Sequence, residues 1–234
     1  VAYDDAAGPA RAFRDALGML GLAGRWLGVE GRRIRFLELD LMARSEAGPR
    51  IFGADEVFAS LRMRKDDAEL DRMRRAVAIA EDAFRATLGH IAVGRTERQV
   101  AAELTVNLLR AGSSPALPFS PIVASGPNGA NPHAFPTDRA LAPGDVATID
   151  WGASFDGYLS DITRNVVIAG APAHPNLVRA HDVVRLANEA GRAAVHPGAT
   201  GQDVDRATRR VIADAGLGDF FVHRTGHGLG LEGH

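Results

Sequence analysis

The alternation of apolar and polar positions is clearest between residues 146 and 168, where it predicts a β-hairpin. The first arm, Val146–Trp151, places apolar side chains at every second position, and the second arm runs over Tyr158–Ile168. Asp156-Gly157 lies between the two arms and is a favoured dipeptide of two-residue turns, because both central residues of such a turn need positive φ. The pattern therefore predicts a hairpin that turns at this pair.

The register of this hairpin brings two carboxylates together. A turn at Asp156-Gly157 places Asp150 opposite Thr163 and Asp161 opposite Gly152. Asp150 and Asp161 are then diagonal neighbours on one face, with about 7–8 Å between their backbones. Two carboxylates at that distance repel each other unless a positive charge lies between them, which favours a divalent metal. The alternative is a pair of surface aspartates, since Asp is common near turns.

Apolar spacing also predicts two helices before the hairpin. Asp66–Leu88 has apolar residues three and four positions apart and Asp66 as its N-cap; the predicted buried stripe is Leu70, Met73, Val77, Ala80 and Phe84. Thr96, with Gln99 three positions later, has the pattern of a capping box, and its helix runs to about Arg110 and ends at Gly112.

This helix pair recurs later in the chain. At an offset of 104 residues, seven of thirty positions between Ala83–Gly112 and Ala187–Gly216 are identical. The matches include the turn glycine, the N-cap threonine and the terminal glycine of the second helix, which predicts an internal duplication. The alternative is chance similarity between two amphipathic helix pairs.

Residues 1–64 have the pattern of the C-terminal part of a small α/β domain and a linker. Short strands are predicted at Trp26–Val29 and Arg50–Phe52, and helices over Ala10–Leu22 and Ile34–Arg44. No candidate chemistry stands out there. We place a domain boundary near residue 64, so that residues 65–234 form the second domain.

The C-terminal stretch is rich in histidine and glycine. His223, His227 and His234 are three of the eight histidines of the chain. The spacing of His223 and His227 would suit two helical zinc ligands, but four glycines between Thr225 and His234 argue against a helix. We interpret the stretch as an extended segment with metal-binding or acid–base histidines. A phosphate-binding loop is the weaker alternative, because the glycine pattern fits no P-loop.

Composition narrows the chemistry. The chain has 234 residues, of which 46% are hydrophobic and 24% charged, and a formal net charge of −2. That charge gives no basis for binding nucleic acid or an acidic membrane surface. The absence of cysteine leaves carboxylate and imidazole as the metal ligands. Neither a signal peptide nor a membrane-spanning run is recognisable, so a cytoplasmic location is expected.

Three motifs together resemble the "pita-bread" metallopeptidases, which include methionine aminopeptidase, Xaa-Pro aminopeptidase and prolidase. They are Ile149–Gly152, Gly157–Arg164 and His223–His234. The stretch Val123–Asn128 and the following Pro132-His133 resemble the Xaa-Pro aminopeptidase and prolidase branch in particular. The resemblance covers about residues 65–234 and implies an α+β pita-bread catalytic domain, incomplete here, after the end of a small α/β N-terminal domain.

The resemblance also implies the roles of the site residues. Asp150, Asp161 and His227 match metal ligands, with Asp161 bridging two ions. Three further histidines match catalytic positions near the substrate: His133, His223 and His234. The implied cofactors are two divalent ions, with manganese expected and cobalt or zinc as alternatives. Such a pair would lower the pKa of a shared water so that its hydroxide attacks the scissile carbonyl.

The implied activity is metal-dependent hydrolysis of Xaa-Pro bonds in peptides or dipeptides. Aminopeptidase and dipeptidase specificity both stay open, and a homodimer is expected, since relatives commonly dimerise. The alternatives are a peptidase-like binding module without catalysis and a creatinase-like hydrolase. Neither end resembles a natural terminus, and the two glutamate ligands of the family are expected beyond His234. Asn165 also departs from the second threonine that many relatives have.

Overall fold

The computed structural model describes residues 1–4 and 6–233 of the chain. The chain folds as two compact units, Val1–Arg64 and Lys65–His234. Across the described residues, no helix is both long enough and apolar enough to cross a membrane.

The first unit is a small α/β arrangement. Strands β1 and β2 pair in parallel, with Trp26 opposite Arg50, and a helix connects them. The helices and short strands that the apolar spacing predicts are present, whereas a third helix was not predicted. The elements are α1 (Pro9–Met19), β1 (Trp26–Val29), α2 (Phe36–Ala43), β2 (Arg50–Gly53) and α3 (Asp55–Met63).

The second unit combines two helix pairs with antiparallel strands. A three-stranded sheet has the order β3-β4-β7, and a separate two-stranded ladder joins β5 to β6. Strand β3 has four residues, and its last three are buried. The elements are α4 (Asp67–Thr87), α5 (Glu97–Arg110), β3 (Ile122–Ser125), β4 (Val146–Trp151), β5 (Ser154–Phe155), β6 (Tyr158–Leu159), β7 (Ile162–Val167), α6 (Pro175–Ala193) and α7 (Gly201–Asp214).

The hairpin has the predicted turn and register. Asp156 and Gly157 adopt φ values of 48° and 83°, as a two-residue turn with two positive φ angles requires. Asp150 pairs with Thr163 in the ladder between β4 and β7. The arms are not continuous, however, because Gly152-Ala153 and Ser160-Asp161 interrupt them. The second arm is therefore two strands, and Asp161 lies at the break between them.

One face of the hairpin is buried against α4. Ala147, Ile149 and Trp151 are at most 1% exposed and alternate with partly exposed residues. The Trp151 ring stacks on Phe84 at 4.5 Å between centroids, and its Nε1 donates to the carbonyl oxygen of Ala80 at 2.9 Å. Burial of one face fixes the register, since a slip of one residue would exchange the two faces.

The predicted stripe of α4 is only partly correct. Ala80 is fully buried, but Val77 is 38% exposed. The residues that the helix buries are mostly small: Ala76, Ile79, Ala80, Ala83 and Thr87. Alanine at these positions lets the helix lie close to the hairpin, and it contributes little to an apolar periodicity. The predicted stripe therefore includes the buried Ala80 and the partly buried Phe84, which packs against the core, but it missed most of the small buried residues.

The duplicated helix pairs share their predicted start and end signals. Thr96 and Thr200 both cap their helices through the amide three residues later. The turn glycines Gly94 and Gly198 have φ values of 84° and 90°. The terminal glycines, Gly112 and Gly216, are also in the left-handed region, at 103° and 74°. The two helix pairs thus have the same local conformation at these positions, as a duplication predicts.

The segment after α7 is held to that helix by an ion pair. The Asp205 carboxylate accepts from Arg209 Nε at 3.0 Å and from the backbone and hydroxyl of Thr225, both at 2.9 Å. Arg209 in turn donates to the carbonyl oxygens of Phe221 and His223. The hydrogen bonds from Arg209 and Thr225 lower the pKa of Asp205 to about 2. This network fixes residues 221–225 without a helix or strand.

Gly152 is expected to tolerate no side chain. A methyl group there would clash with the carbonyl oxygen of Ser160 and lie 3.0 Å from Pro118 Cγ. Gly152→Ala should therefore lower the free energy of unfolding by about 1–3 kcal/mol, as overpacking does. Urea denaturation tests this, with Gly201→Ala as control, because nothing lies within 4 Å of a methyl group at that helical start. Equal midpoints for the two variants would contradict the expectation.

Asp205→Asn should destabilise the protein in a pH-dependent way. The folded-state pKa of about 2 lies below the ordinary value of 3.8, so ionised Asp205 stabilises the fold above about pH 4. That contribution disappears as the pH falls towards 2. The urea midpoint of the variant should be below wild type at pH 7, with a gap that narrows between pH 4 and pH 2. Asp214→Asn, on the exposed face of the same helix, is the control; a gap that widens on acidification would refute this account.

Candidate metal centre

The hairpin presents Asp150 on the face opposite its buried residues. Asp150 lies in β4 between Ile149 and Trp151, which both point into the core. The hydroxyl of Thr163, its partner across the ladder, donates to Asp150 Oδ1 at 2.7 Å. The strand and this hydrogen bond together fix the direction of the carboxylate.

The glycine-rich segment reaches the same hairpin from a distant part of the sequence. The Leu159 amide donates to the carbonyl oxygen of Gly230 at 2.9 Å. This bond ties the segment to β6, two residues before Asp161. His227 Nε2 then lies 3.3 Å from Asp161 Oδ2. The segment has no helix or strand at His227, as its glycine content predicts.

The orientation of the His227 ring follows from its other nitrogen. Nδ1 lies 2.8 Å from the carbonyl oxygen of Gly228, and a carbonyl oxygen can only accept. A hydrogen bond between these two atoms therefore requires a ring form with a proton on Nδ1. Nε2 presents a lone pair in the neutral ring and an N–H in the protonated ring. The neutral form is the one that ligates metals, with the Nδ1–H held by an acceptor as is usual for metal-binding histidines.

Asp150 and Asp161 influence each other electrostatically. Burial raises the pKa of the Asp150 carboxyl above its ordinary value, and the negative charge of Asp161 raises it further. The Thr163 hydroxyl and the nearby His227 oppose this rise in the pKa. The site therefore holds two partly buried carboxylates, and the single imidazole beside them does not offset their negative charge.

The chemistry of this donor set fits a divalent cation. Carboxylate oxygens and a neutral imidazole are ligands of Mn²⁺, Co²⁺ and Zn²⁺, and a cation would relieve the repulsion between Asp150 and Asp161. Over residues 1–4 and 6–233, no cluster of three or more His, Cys, Asp and Glu side chains has the arrangement of a preformed metal site. The assignment of Asp150, Asp161 and His227 as ligands stays a prediction.

The remaining predicted histidines lie on two other segments. His133 is exposed in the loop between β3 and β4, where its amide donates to the Asn131 side chain. His223 is exposed beside Phe221, with its Nδ1 2.8 Å from the carbonyl oxygen of Arg224. Within the described part of the chain, neither ring hydrogen-bonds to Asp150 or Asp161. His234 lies outside the described residues.

Two acidic residues hold the histidine-bearing segments, and the sequence patterns did not single them out. Asp205 anchors the segment of His223, and Glu97 anchors both ends of the loop of His133. Glu97 directly follows the N-cap Thr96, where an acidic residue is ordinarily explained by the helix dipole. Its complete burial was the informative property, and a single sequence does not reveal it.

Comparison with known proteins relates the chain to a group of peptidases. Residues 71–234 match the model of metallopeptidase family M24. A probable dipeptidase PepE of Mycobacterium bovis is 40% identical over 182 residues, 77% of this chain and 48% of the relative. The Xaa-Pro dipeptidase of Pyrococcus furiosus is 36% identical over 180 residues, again 77% of this chain and 51% of the relative. The chain thus spans about half the length of these relatives.

A solved structure extends this similarity to the fold. The X-Pro aminopeptidase of Thermotoga maritima superposes with a TM-score of 0.88 at 32% identity, over 100% of this chain and 64% of that one. The predicted pita-bread fold is confirmed. With the family match over residues 71–234 and a site of carboxylates and histidine, the chain belongs to metallopeptidase family M24.

Proposed function

We propose that the protein hydrolyses Xaa-Pro peptide bonds at a dinuclear metal centre held in part by Asp150, Asp161 and His227. The observation that carries this proposal is the approach of His227 Nε2 to within 3.3 Å of Asp161, 66 positions earlier in the sequence. A contact between such distant residues, beside a second partly buried carboxylate, is expected of a functional site more than of a surface ion pair.

The metal ions, when bound, supply Lewis acidity and the activated water that peptide hydrolysis requires. The chain's own residues prepare the site. Thr163 orients Asp150, and the Gly228 carbonyl lies where it can accept a hydrogen bond from His227 Nδ1, which leaves Nε2 for a metal. His133 and His223 are the imidazoles proposed to donate hydrogen bonds to the substrate as negative charge develops on its carbonyl oxygen.

Relatives support proline in the second position of the substrate. The Pyrococcus furiosus relative is named an Xaa-Pro dipeptidase, and the Thermotoga maritima structure is of an X-Pro aminopeptidase. Both activities break the bond before a proline, and they differ in the length of peptide accepted. We therefore propose this bond as the target. The metal is proposed to be manganese, with cobalt or zinc as alternatives, and the protein a homodimer.

Asp161→Asn should remove both metal and activity. The substitution would delete the charge of a proposed metal ligand. Loss of an outer-shell partner alone typically lowers metal affinity or activity about 10–100-fold, so kcat/KM should fall more than about 100-fold. Elemental analysis and Xaa-Pro hydrolysis by the full-length protein measure this. Asp156→Asn, at the turn of the same hairpin, is the matched control and should keep both properties. Unchanged metal content in Asp161→Asn would refute the ligand assignment.

Metal removal should separate the candidate functions. Chelation should abolish Xaa-Pro cleavage by the full-length protein, and Mn²⁺ should restore it, because the ions supply the activated water. Cleavage of dipeptides alone would indicate a dipeptidase, and cleavage of tripeptides an aminopeptidase. The corresponding Xaa-Ala peptides are the control for the requirement for proline. Failure to bind metal or to cleave any of these peptides would instead favour a binding module.

A further inference from the structure

The buried carboxylate of Glu97 has no role in the centre described above, yet its burial is complete. Glu97 is the first residue of α5 and is 0% exposed. An ionised carboxylate is rarely buried completely unless it is paired or fully hydrogen-bonded. The hydrogen-bond donors around the Glu97 carboxylate therefore explain why it can be buried.

Five hydrogen bonds converge on the two oxygens of Glu97. Oε1 accepts from the amide and the hydroxyl of Ser125, at 2.6 and 2.8 Å. Oε2 accepts from the amide and the hydroxyl of Thr137, at 3.0 and 2.7 Å, and from Asn128 Nδ2 at 2.8 Å. Burial opposes ionisation, but the donors from Thr137 and Ser125 outweigh it, so the pKa of Glu97 lies below its ordinary value.

These donors lie at the two ends of one loop. Ser125 is the last residue of β3, and Thr137 closes the stretch that follows it, so residues 126–136 form a loop whose ends meet on a single carboxylate. Asn128 joins the two sides, because its Nδ2 also lies 3.1 Å from the carbonyl oxygen of Phe135. His133 lies inside this closed loop.

Arg139 supplies a positive charge beside this loop. Arg139 Nη1 donates to the Ser125 hydroxyl at 2.6 Å, and Arg139 also forms a two-bond ion pair with Asp145. The Ser125 hydroxyl thus accepts from Arg139 and donates to Glu97. This chain of hydrogen bonds fixes the beginning of the loop relative to both α5 and β4.

The second helix pair, α6 and α7, shows that such a pair folds without a carboxylate at this position. The residue equivalent to Glu97, at the same offset of 104 residues, is Gly201. Gly201 starts α7 after the same kind of threonine N-cap, with open space around it. Glu97 is thus specific to the copy that carries the loop of His133.

We propose that Glu97 is a positioning residue, which holds the loop 126–136 so that His133 is presented to the substrate. This inference rests on the proposed function. It assigns Glu97 no contact with substrate or metal. The five donors define the orientation of the loop ends, and Glu97 contributes to hydrolysis through the position of the His133 ring.

A double-mutant cycle in the full-length protein tests this proposal. Glu97→Gln keeps the volume but replaces one carboxylate oxygen by an NH2 group that faces donors, so one end of the loop loses its acceptor. Displacement of a catalytic group can cost up to about 100-fold, and we expect Glu97→Gln to lower kcat/KM about 10–100-fold. If Glu97 acts through His133, the same change in a His133→Ala background should have no further effect. Independent, additive losses would overturn the proposal.

Two further variants separate positioning from a general loss of stability. Leu104→Ala removes a fully buried side chain from the same helix and should lower the unfolding midpoint while leaving kcat/KM per folded molecule unchanged. Thr137→Val deletes one hydroxyl donor from an exposed residue and should lower kcat/KM about 3–10-fold in a folded protein. Equal kinetic losses in Leu104→Ala and Glu97→Gln, or no loss in Thr137→Val, would overturn the proposal.

Amide hydrogen exchange of the metal-free protein gives a readout that does not depend on hydrolysis. Glu97→Gln should accelerate exchange in residues 126–136 relative to Leu104→Ala, with β4 unaffected. Unchanged exchange in the loop would overturn the proposal even in an active enzyme. If the wild-type protein cleaves no Xaa-Pro peptide, the proposed function fails, and the exchange result alone decides whether Glu97 holds the loop.

Discussion

The two-sided character of strand β4 is the constraint on which the site depends. Its inward residues Ala147, Ile149 and Trp151 are buried, and Trp151 is held by a stacked ring and by a hydrogen bond to α4. Moving the strand by one residue would expose these side chains and bury Asp150. The apolar core therefore determines where the carboxylates lie. Asp161 lies at the break between β6 and β7, where it contacts His227 of the glycine-rich segment.

Local chemistry made much of this fold predictable. The positive φ angles of Asp156 and Gly157, the capping boxes of Thr96 and Thr200 and the pairing of Asp150 with Thr163 all follow from short-range rules. The buried face of α4 was predicted less well, because Ala76 and Ala83 bury little apolar area each. Their importance comes from the close approach of another element, which a single sequence does not display.

The residues of the candidate site also differ in how far short-range rules predict their positions. Asp150 and Asp161 could be related through the hairpin, since one turn links them. The contact of His227 with Asp161 depends on the bond between Leu159 and Gly230, and no periodicity encodes that contact. Here the resemblance to a family supplied what the local rules lacked. Neither the local rules nor the family resemblance identified Glu97, because an acidic residue after a capping threonine is ordinary in a helix.

The two copies of the helix pair show how a repeated scaffold can hold different loops. In the first copy, the first residue of the second helix binds the loop of His133. In the second, Asp205 lies one turn further along and binds Thr225 beside His223. Both carboxylates replace the missing regular structure with hydrogen bonds to backbone amides. Irregular segments gain flexibility for close approach to a ligand but lose the ladder that would order them. A charged acceptor on the rigid helix restores that order, so these histidine segments can be irregular and still well defined.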